Sequence, residues 1–280
     1  MDKLRFGTAG IPISCSSAGG KTLDGVRFVR KLGLECMELE FVRSINIGEE
    51  MAEHINLAAR QEDVILTCHA PYYINLNSLD KTKTVESAER ILRSAKIADI
   101  CGCRSLTFHA GFHMGMESDK AHANIKVQLE KILNKLKSEG NRIMLRPEIT
   151  GKPTQFGSLE ELIILSQELS NILPCIDFAH LYARSGGRVN GYEKTSEVLA
   201  RLEEALGRNM LDNMHSHVSG IAYGPGGERN HLTLEESGFD YMGLLKALAD
   251  FRVKGVVISE SPNIEQDAMM MKKLYEEIKR

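Results

Sequence analysis

The sequence predicts an α/β fold, a (β/α)8 TIM barrel forming a single domain over residues 1–280, and three observations lead to it. Apolar, β-branched runs recur eight times and alternate with helical stretches. The chain has 280 residues, 42% of them hydrophobic, and shows no linker, which suits one large core better than two. Six of the runs end on or beside a histidine or a carboxylate. In a parallel barrel such ends converge on one rim, the place where this fold builds its sites.

Taken in order, the strand-like runs lie at residues 4–9, 36–42, 64–69, 104–109, 142–148, 173–178, 211–218 and 255–260. Between them, segments such as Ser87-Ala-Glu-Arg-Ile-Leu-Arg-Ser-Ala-Lys-Ile-Ala and Asn124-Ile-Lys-Val-Gln-Leu-Glu-Lys-Ile-Leu-Asn-Lys-Leu repeat apolar residues about every 3.6 positions beside charged ones, the mark of amphipathic helices. Ser158 followed by Glu161 forms a capping box that starts a helix, and Gly140 and Gly207 stand where helices should stop. An open doubly wound sheet is the competing architecture, but no glycine-rich phosphate loop follows the first strand and opens a helix.

Composition narrows the setting. No apolar stretch is long enough to span a membrane, and the N-terminal residues lack an apolar signal core with a cleavage site, so a cytoplasmic protein without membrane contact is expected. The six cysteines include no CxxC pair. Cys36, Cys68 and Cys175 lie inside apolar runs and read as reduced core residues, and Cys101 with Cys103 is too little for a metal knuckle. The formal net charge of −3 speaks against a nucleic-acid partner at first sight. Three divalent cations bound to the same chain would turn −3 into +3, however, so a metal-loaded rim could attract phosphate.

The candidate ligands are His69, His109, Glu148, Asp177, His180, His215 and Glu260, each at or near the end of an apolar run. A buried carboxylate without a partner is costly, and so is a lone buried imidazole; together on one rim they supply one another through metal. His113 and His217 stand beside these candidates and read more readily as satisfied neighbours, while His54 and His122 fall on helical stretches as ordinary surface histidines. Nitrogen and carboxylate donors without thiolates suit zinc, with manganese as the alternative. Seven candidates exceed the needs of one tetrahedral ion, so two or three ions are expected. Such clusters support phosphoryl transfer by stabilising the attacking and leaving oxygens.

At this point the motifs resemble a known family. His69-Ala-Pro-Tyr-Tyr-Ile-Asn-Leu, Phe108-His109-Ala-Gly, Glu148-Ile-Thr, Ile176-Asp177-Phe-Ala-His180, His215 at its strand end and Ser259-Glu260-Ser-Pro are similar, in order and spacing, to the metal-ligand motifs of the endonuclease IV family of apurinic/apyrimidinic endonucleases. Cys15-Ser-Ser-Ala-Gly-Gly20 resembles that family's early glycine-ended loop. The resemblance implies a zinc held by His69, His109 and Glu148, a second held by Glu148, Asp177, His215 and Glu260, and a third on His180, His231 and a further carboxylate. It also implies hydrolysis of the phosphodiester on the 5′ side of an abasic site in double-stranded DNA, leaving a 3′ hydroxyl, by a monomer acting in base excision repair. Glu148 and Glu260 would be the catalytic carboxylates.

Tyr72 and Tyr73 follow His69 directly and could stack in the gap at a lesion, and Arg43 resembles the family's DNA-contacting arginine; loop packing and a surface salt bridge are the plainer alternatives. Two departures stand out. The family places a carboxylate two residues before the last histidine, where this chain has Arg229, a side chain that only donates hydrogen bonds. Glu228 is therefore the expected third-site carboxylate, brought to the rim by flexible Gly226 and Gly227, with Arg229 turned outward toward DNA phosphate. After His109 this chain also has alanine where proline is commoner. Two other functions remain. Glu148, Asp177, His215 and Glu260 alone resemble the single-metal set of xylose isomerase-like sugar isomerases and epimerases, and a non-catalytic binder of damaged DNA would keep the site without turnover.

Overall fold

The computed structural model describes residues 1–280 and is a parallel (β/α)8 barrel. Its strands are β1 (Leu4–Ala9), β2 (Cys36–Glu40), β3 (Ile65–His69), β4 (Ser105–Phe108), β5 (Met144–Pro147), β6 (Ile176–Asp177), β7 (Met214–Val218) and β8 (Gly255–Ser259). They run round the sheet in chain order, with β1 parallel to both β2 and β8. Between β5 and β6 the sheet closes only through isolated bridges, Leu145 to Ile172 and Glu148 to Cys175. Pro147 and Pro174 lie at this seam, and a proline has no N–H to give to a ladder. The carbonyl of Pro147 still accepts from Cys175 N at 2.9 Å, so the seam is pinned beside Glu148.

Two expected strands shorten for local reasons. The run at 173–178 yields only Ile176–Asp177, because Asp177 becomes the N-cap of helix Phe178–Arg184, its Oδ1 accepting from His180 N at 2.7 Å. The run at 211–218 starts as strand only at Met214, since helix Arg208–Asp212 takes the residues before it. The expected helices are longer than their sequence signals, Lys81–Ile100 and Ser118–Ser138. All six cysteines are free and buried, in agreement with their core reading. No helix is long and apolar enough to cross a membrane.

Alternation along the strands divides the protein into two compartments. Outward-facing residues such as Phe6, Met37, Leu39, Leu66, Leu106 and Leu145 join the helices in one continuous core. Inside the barrel only Cys36, Val256 and Ile258 form a small apolar plug. The rest of the lumen is polar: Glu38, Thr67, Ser105, Thr107, Arg146 and His215 are all buried. Apolar stability therefore comes from the shell between sheet and helices, and the lumen is left for charge.

An antiparallel pair, Gly111–Phe112 with Gln155–Phe156, ties the loop after β4 to the loop after β5. Gly111 sits there at φ +143°, with Asn75 Oδ1 only 2.4 Å from where a Cβ would be, so no larger residue fits. Beside it, Ser158 and Glu161 form the expected capping box for helix Leu159–Glu168. Glu161 also accepts from His113 Nε2 and from Ser118 Oγ, both at 2.6 Å, and from Gly157 N at 3.0 Å. His113 is thereby satisfied outside the metal site.

Burial pushes the Glu161 carboxyl up, but the hydrogen bonds from Ser118, His113, Ser158 and Gly157 outweigh it and bring it down to about 2. Removing it with Glu161→Ala is expected to cost about 2–4 kcal/mol in chemical denaturation. Because the folded-state value is depressed, this contribution is complete above the ordinary carboxylate range and lost as pH falls toward 2. The wild-type protein should therefore lose more stability than the variant between pH of about 5 and 2; equal pH slopes would show that Glu161 does not carry it.

Candidate metal centre

At the C-terminal rim of the barrel, parallel register brings titratable side chains from successive strands to a common level. Glu40 at the end of β2 pairs in register with His69 at the end of β3, and Asp177 in β6 pairs with His217 in β7. Glu148 follows β5 at the seam and lies among them with 1% of its surface exposed. Its Oε2 is 3.1 Å from His69 Nε2 and 3.0 Å from His109 Nε2, and its Oε1 is 2.9 Å from His217 Nδ1. Glu260 Oε1 lies 3.3 Å from the same His217 Nδ1. Two donor sets thus share Glu148: His69, His109 and Glu148 on one side, and Glu148, Asp177, His217 and Glu260 on the other.

A third cluster adjoins them. His180 Nε2 lies 2.9 Å from Glu228 Oε2, and the His180 and His231 rings are 5.7 Å apart. Glu228 and His231 belong to the hairpin of Gly220–Gly224 with Gly227–Leu232. Glu228 faces the rim because its N–H bonds to Gly151 O at 3.0 Å and Gly227 turns at φ +94°. Gly151 leaves it room: a Cβ there would lie 2.1 Å from Glu228 Oε2. Arg229 is exposed on the opposite side of the hairpin. Flexibility at Gly227, rather than at exposed Gly226, makes the bend.

Three of the histidines are held alike. Nδ1 donates to a backbone carbonyl in His69 (Ala70 O, 2.7 Å), His180 (Ile149 O, 2.9 Å) and His231 (Glu260 O, 3.1 Å). That anchoring fixes the ring and, in the neutral tautomer, leaves the Nε2 lone pair toward the cluster, as a metal ligand requires. The neighbouring atoms are then carboxylate oxygens, and two lone pairs facing at about 3 Å need a proton or a cation between them. Asp177 Oδ2 and Glu228 Oε2 are buried with only His180 ring nitrogens near them, and Glu40 Oε1 is buried without a hydrogen-bond donor. Atoms bound to one zinc at 2.0–2.2 Å stand roughly 3.3–3.6 Å apart at the tetrahedral angle, close to the separations here. The donor set therefore fits zinc or another divalent cation of similar ligand preference.

The same contacts shift the protonation of the cluster. Burial opposes charge on His69, but the hydrogen bond and charge of Glu148 raise it to about 10. Burial likewise opposes charge on His180 and His217, yet both are raised well above the usual imidazole range, the first by Asp177 and Glu228 and the second by Cys175, Glu260 and Glu38. Burial drives Asp177 well up; it acts on Glu148 in the same sense, but there His109 and His217 overcome it and hold the carboxyl well down. Burial, with the charges of Glu38 and Glu260 adding to it, pushes Glu40 up to about 8 although His69 pulls the other way.

One expected ligand is displaced. His215 lies two residues earlier on the same face of β7, about 6.6 Å deeper. There its Nδ1 is 3.0 Å from Ser105 Oγ and its Nε2 2.9 Å from Glu38 Oε2. His217, read from sequence as a bystander, is the residue at the level of Asp177 and Glu148. Its Nε2 lies 2.7 Å from Glu38 Oε1, so Glu38 stands between the two histidines and backs the one at the rim. Glu38 and Glu40 were missed altogether. Their signal was available, since carboxylates alternating through Cys36-Met-Glu-Leu-Glu40 mark the lumen face of a strand.

The expected recognition residues lie together at the edge of this rim. Tyr72 and Tyr73 are 59% and 64% exposed, and the Tyr72 ring meets His69 edge-on at 5.9 Å. Tyr72 N bonds to Val42 O at 3.1 Å, which joins the tyrosine loop to the loop carrying exposed Arg43.

A family model described as xylose isomerase-like TIM barrel matches residues 26–277. An uncharacterized protein of Methanocaldococcus jannaschii is 46% identical over 275 residues, covering 98% of each chain. Probable endonuclease 4 of Mycoplasma pneumoniae is 24% identical over 78% of this chain and 74% of its own. Among solved structures, endonuclease IV from Thermus thermophilus superposes with a TM-score of 0.76 at 18% identity, covering 99% of this chain and 98% of its own. A D-tagatose 3-epimerase-like protein does so at 0.73 and 16%, covering 98% and 96%. At these identities the structural likenesses establish the fold.

The register of β7 can be tested directly. After metal loading, His217→Ala should lose bound metal by elemental analysis, because it removes a donor shared with Glu148 and Glu260. His215→Ala should keep its full metal count and weaken affinity by about tenfold to a hundredfold, as expected when a residue acts through Glu38. The opposite ranking would restore His215 as the ligand.

Proposed function

This chain belongs to the xylose isomerase-like TIM barrel family, and from that premise we propose that it is a metal-dependent endonuclease of the endonuclease IV type. Its substrate in this reading is double-stranded DNA with an abasic site, cut on the 5′ side to leave a 3′ hydroxyl, within base excision repair. The observation that carries the proposal is the position of Glu148, shared by His69 and His109 on one side and by His217 on the other, with His180 and Glu228 alongside. One carboxylate common to two donor sets is what a bridged pair of cations needs.

His69, His109 and Glu148 would hold the first cation, Glu148, Asp177, His217 and Glu260 the second, and His180, Glu228 and His231 the third. Zinc fits these donors, with manganese as the alternative. When bound, such ions supply Lewis acidity and activate water at neutral pH. The protein contributes placement. Glu148 and Glu260, the second 14% exposed, both approach His217 Nδ1, at 2.9 and 3.3 Å, and would together orient the attacking water. The His180–Glu228–His231 group adjoins them, with His180 Nδ1 3.6 Å from Glu148 Oε1, and is assigned to the side of the departing 3′ oxygen. Tyr72 and Tyr73 offer apolar faces to the gap left by a missing base, and Arg43 and Arg229 offer guanidiniums to the phosphate backbone.

A sugar epimerase is the second reading. It needs only the quartet Glu148, Asp177, His217 and Glu260, which stands together here, and the epimerase-like neighbour shares the fold. It leaves His69, His109, His180, Glu228 and His231 without employment, which favours the nuclease. A third reading, lesion binding without turnover through a structural metal site, is disfavoured by the intact pair Glu148 and Glu260, the carboxylates assigned to the attacking water.

Incubation of metal-loaded protein with a duplex carrying one abasic site separates these readings. Incision 5′ to the site that a chelator abolishes and a polymerase can extend from is expected. Ketose epimerisation without DNA cleavage would install the epimerase, and retention of the duplex uncut would install the binder. In the same assay Tyr72→Ala and Arg43→Ala should weaken lesion affinity while metal content stays constant. The loss of aromatic stacking is worth roughly 1–3 kcal/mol per base, or about tenfold to a hundredfold in affinity. Unchanged affinity in both would assign these residues to loop packing.

A further inference from the structure

The opposite mouth of the barrel carries a cavity that the proposed reaction does not use. It has a volume of about 300 Å3 and opens among the N-terminal ends of the strands, with Arg104, Arg142, Arg146, Thr67, Ser105 and His215 on its walls. No aspartate or glutamate lines it. Arg104 and Arg142 are exposed at its entrance, and neither forms an ion pair.

Arg146 is the unusual member. It lies on β5 two residues before Glu148, on the lumen face, and only 4% of it is exposed. One terminal nitrogen donates to Pro174 O at 2.9 Å and the other to Asn213 O, while Nε has no acceptor. Carbonyls satisfy donors but bring no opposite charge, and a buried guanidinium without a counter-ion is costly. Thr67 Oγ1, buried in the same wall, also lacks a partner. His215 and Glu38 partition this space from the rim, with His215 tied to Ser105 on one side and facing Glu38 on the other.

We propose that this cavity binds a phosphate-type oxyanion, free or as a small phosphomonoester, with Arg146 at its floor and Arg104 and Arg142 at its mouth. Guanidiniums pair with tetrahedral oxyanions through N–H donors, and three of them lining one acid-free cavity beside the hydroxyls of Thr67 and Ser105 form a site for that charge. The volume exceeds that of bare phosphate, so a monoester with a small organic part fits as well. The assignment stands whether or not the rim is a nuclease, because it shares no residue with the proposed cation sites.

Calorimetric titration of the full metal-loaded chain with inorganic phosphate, and separately with glycerol 3-phosphate, tests it. Saturable binding that weakens at least tenfold in the Arg104→Ala/Arg142→Ala double variant, with metal content unchanged, supports the site. The ligand that binds more tightly identifies the source of the oxyanion, and either one supports the assignment. The Nε–Hε resonance of Arg146 in the wild-type protein should shift with the same titration, which reads the cavity floor without any substitution there. Binding of equal strength in the double variant would place the phosphate on the rim cations and overturn the proposal. Absence of saturable binding, or an Arg146 resonance that does not move, would overturn it as well.

Discussion

A carboxylate with 1% of its surface exposed has to be neutralised where it stands, and the rim of this barrel is arranged around that requirement at Glu148. In water a glutamate is solvated at little cost, but withdrawn into the lumen it needs opposite charge within contact distance. Three imidazoles supply it within 3.1 Å, each from a different strand end, so the requirement of one side chain becomes a constraint on the register of β3, β4 and β7 at once. The same contacts that satisfy Glu148 in protonated form are those a cation would take over. The cluster is thus poised between two charge carriers, and loading it with metal must expel protons.

The rest of the fold makes this concentration of charge tolerable. Because helices cover the outer face of every strand, the continuous apolar core lies outside the sheet and does not depend on what fills the lumen. The lumen can then hold a column of polar side chains with only Cys36, Val256 and Ile258 as an apolar plug. Contacts run through this column from Glu148 to His217, Glu38, His215 and Ser105, ending at the cavity on the far side. One barrel thus presents negative donors at the C-terminal mouth and unpaired guanidiniums at the other. Opposite ends of the same strands, such as Arg146 and Glu148 two residues apart, carry opposite charge.

Local chain chemistry places the loops that finish the site. Gly151 and Gly227 let the hairpin bearing Glu228 lie against the loop after β5, and Asp177 serves both as a helix cap and as a member of the cluster. Asp177 Oδ1 already accepts from His180 N, and Oδ2 is the oxygen with no such bond, so Oδ2 is the readier donor to a cation.

By itself the sequence determined the barrel, the strand ends that carry His69, His109, Glu148, Asp177 and Glu260, the capping box at Ser158 and the inward turn of Glu228. Each rests on information local in the chain: periodicity, a run of apolar residues, or a glycine before a carboxylate. Depth inside the barrel is not local. His215 and His217 share a strand and a face, and only the pairing of β7 with β6 sets His217 level with Asp177 while sinking His215 to Glu38. Glu38 and Glu40 escaped for a related reason, since their strand end offers no histidine to draw attention and their partners come from β3 and β7. Register between strands distant in the chain is decided by packing and closure of the whole sheet, so it was the tertiary structure that chose which donors meet.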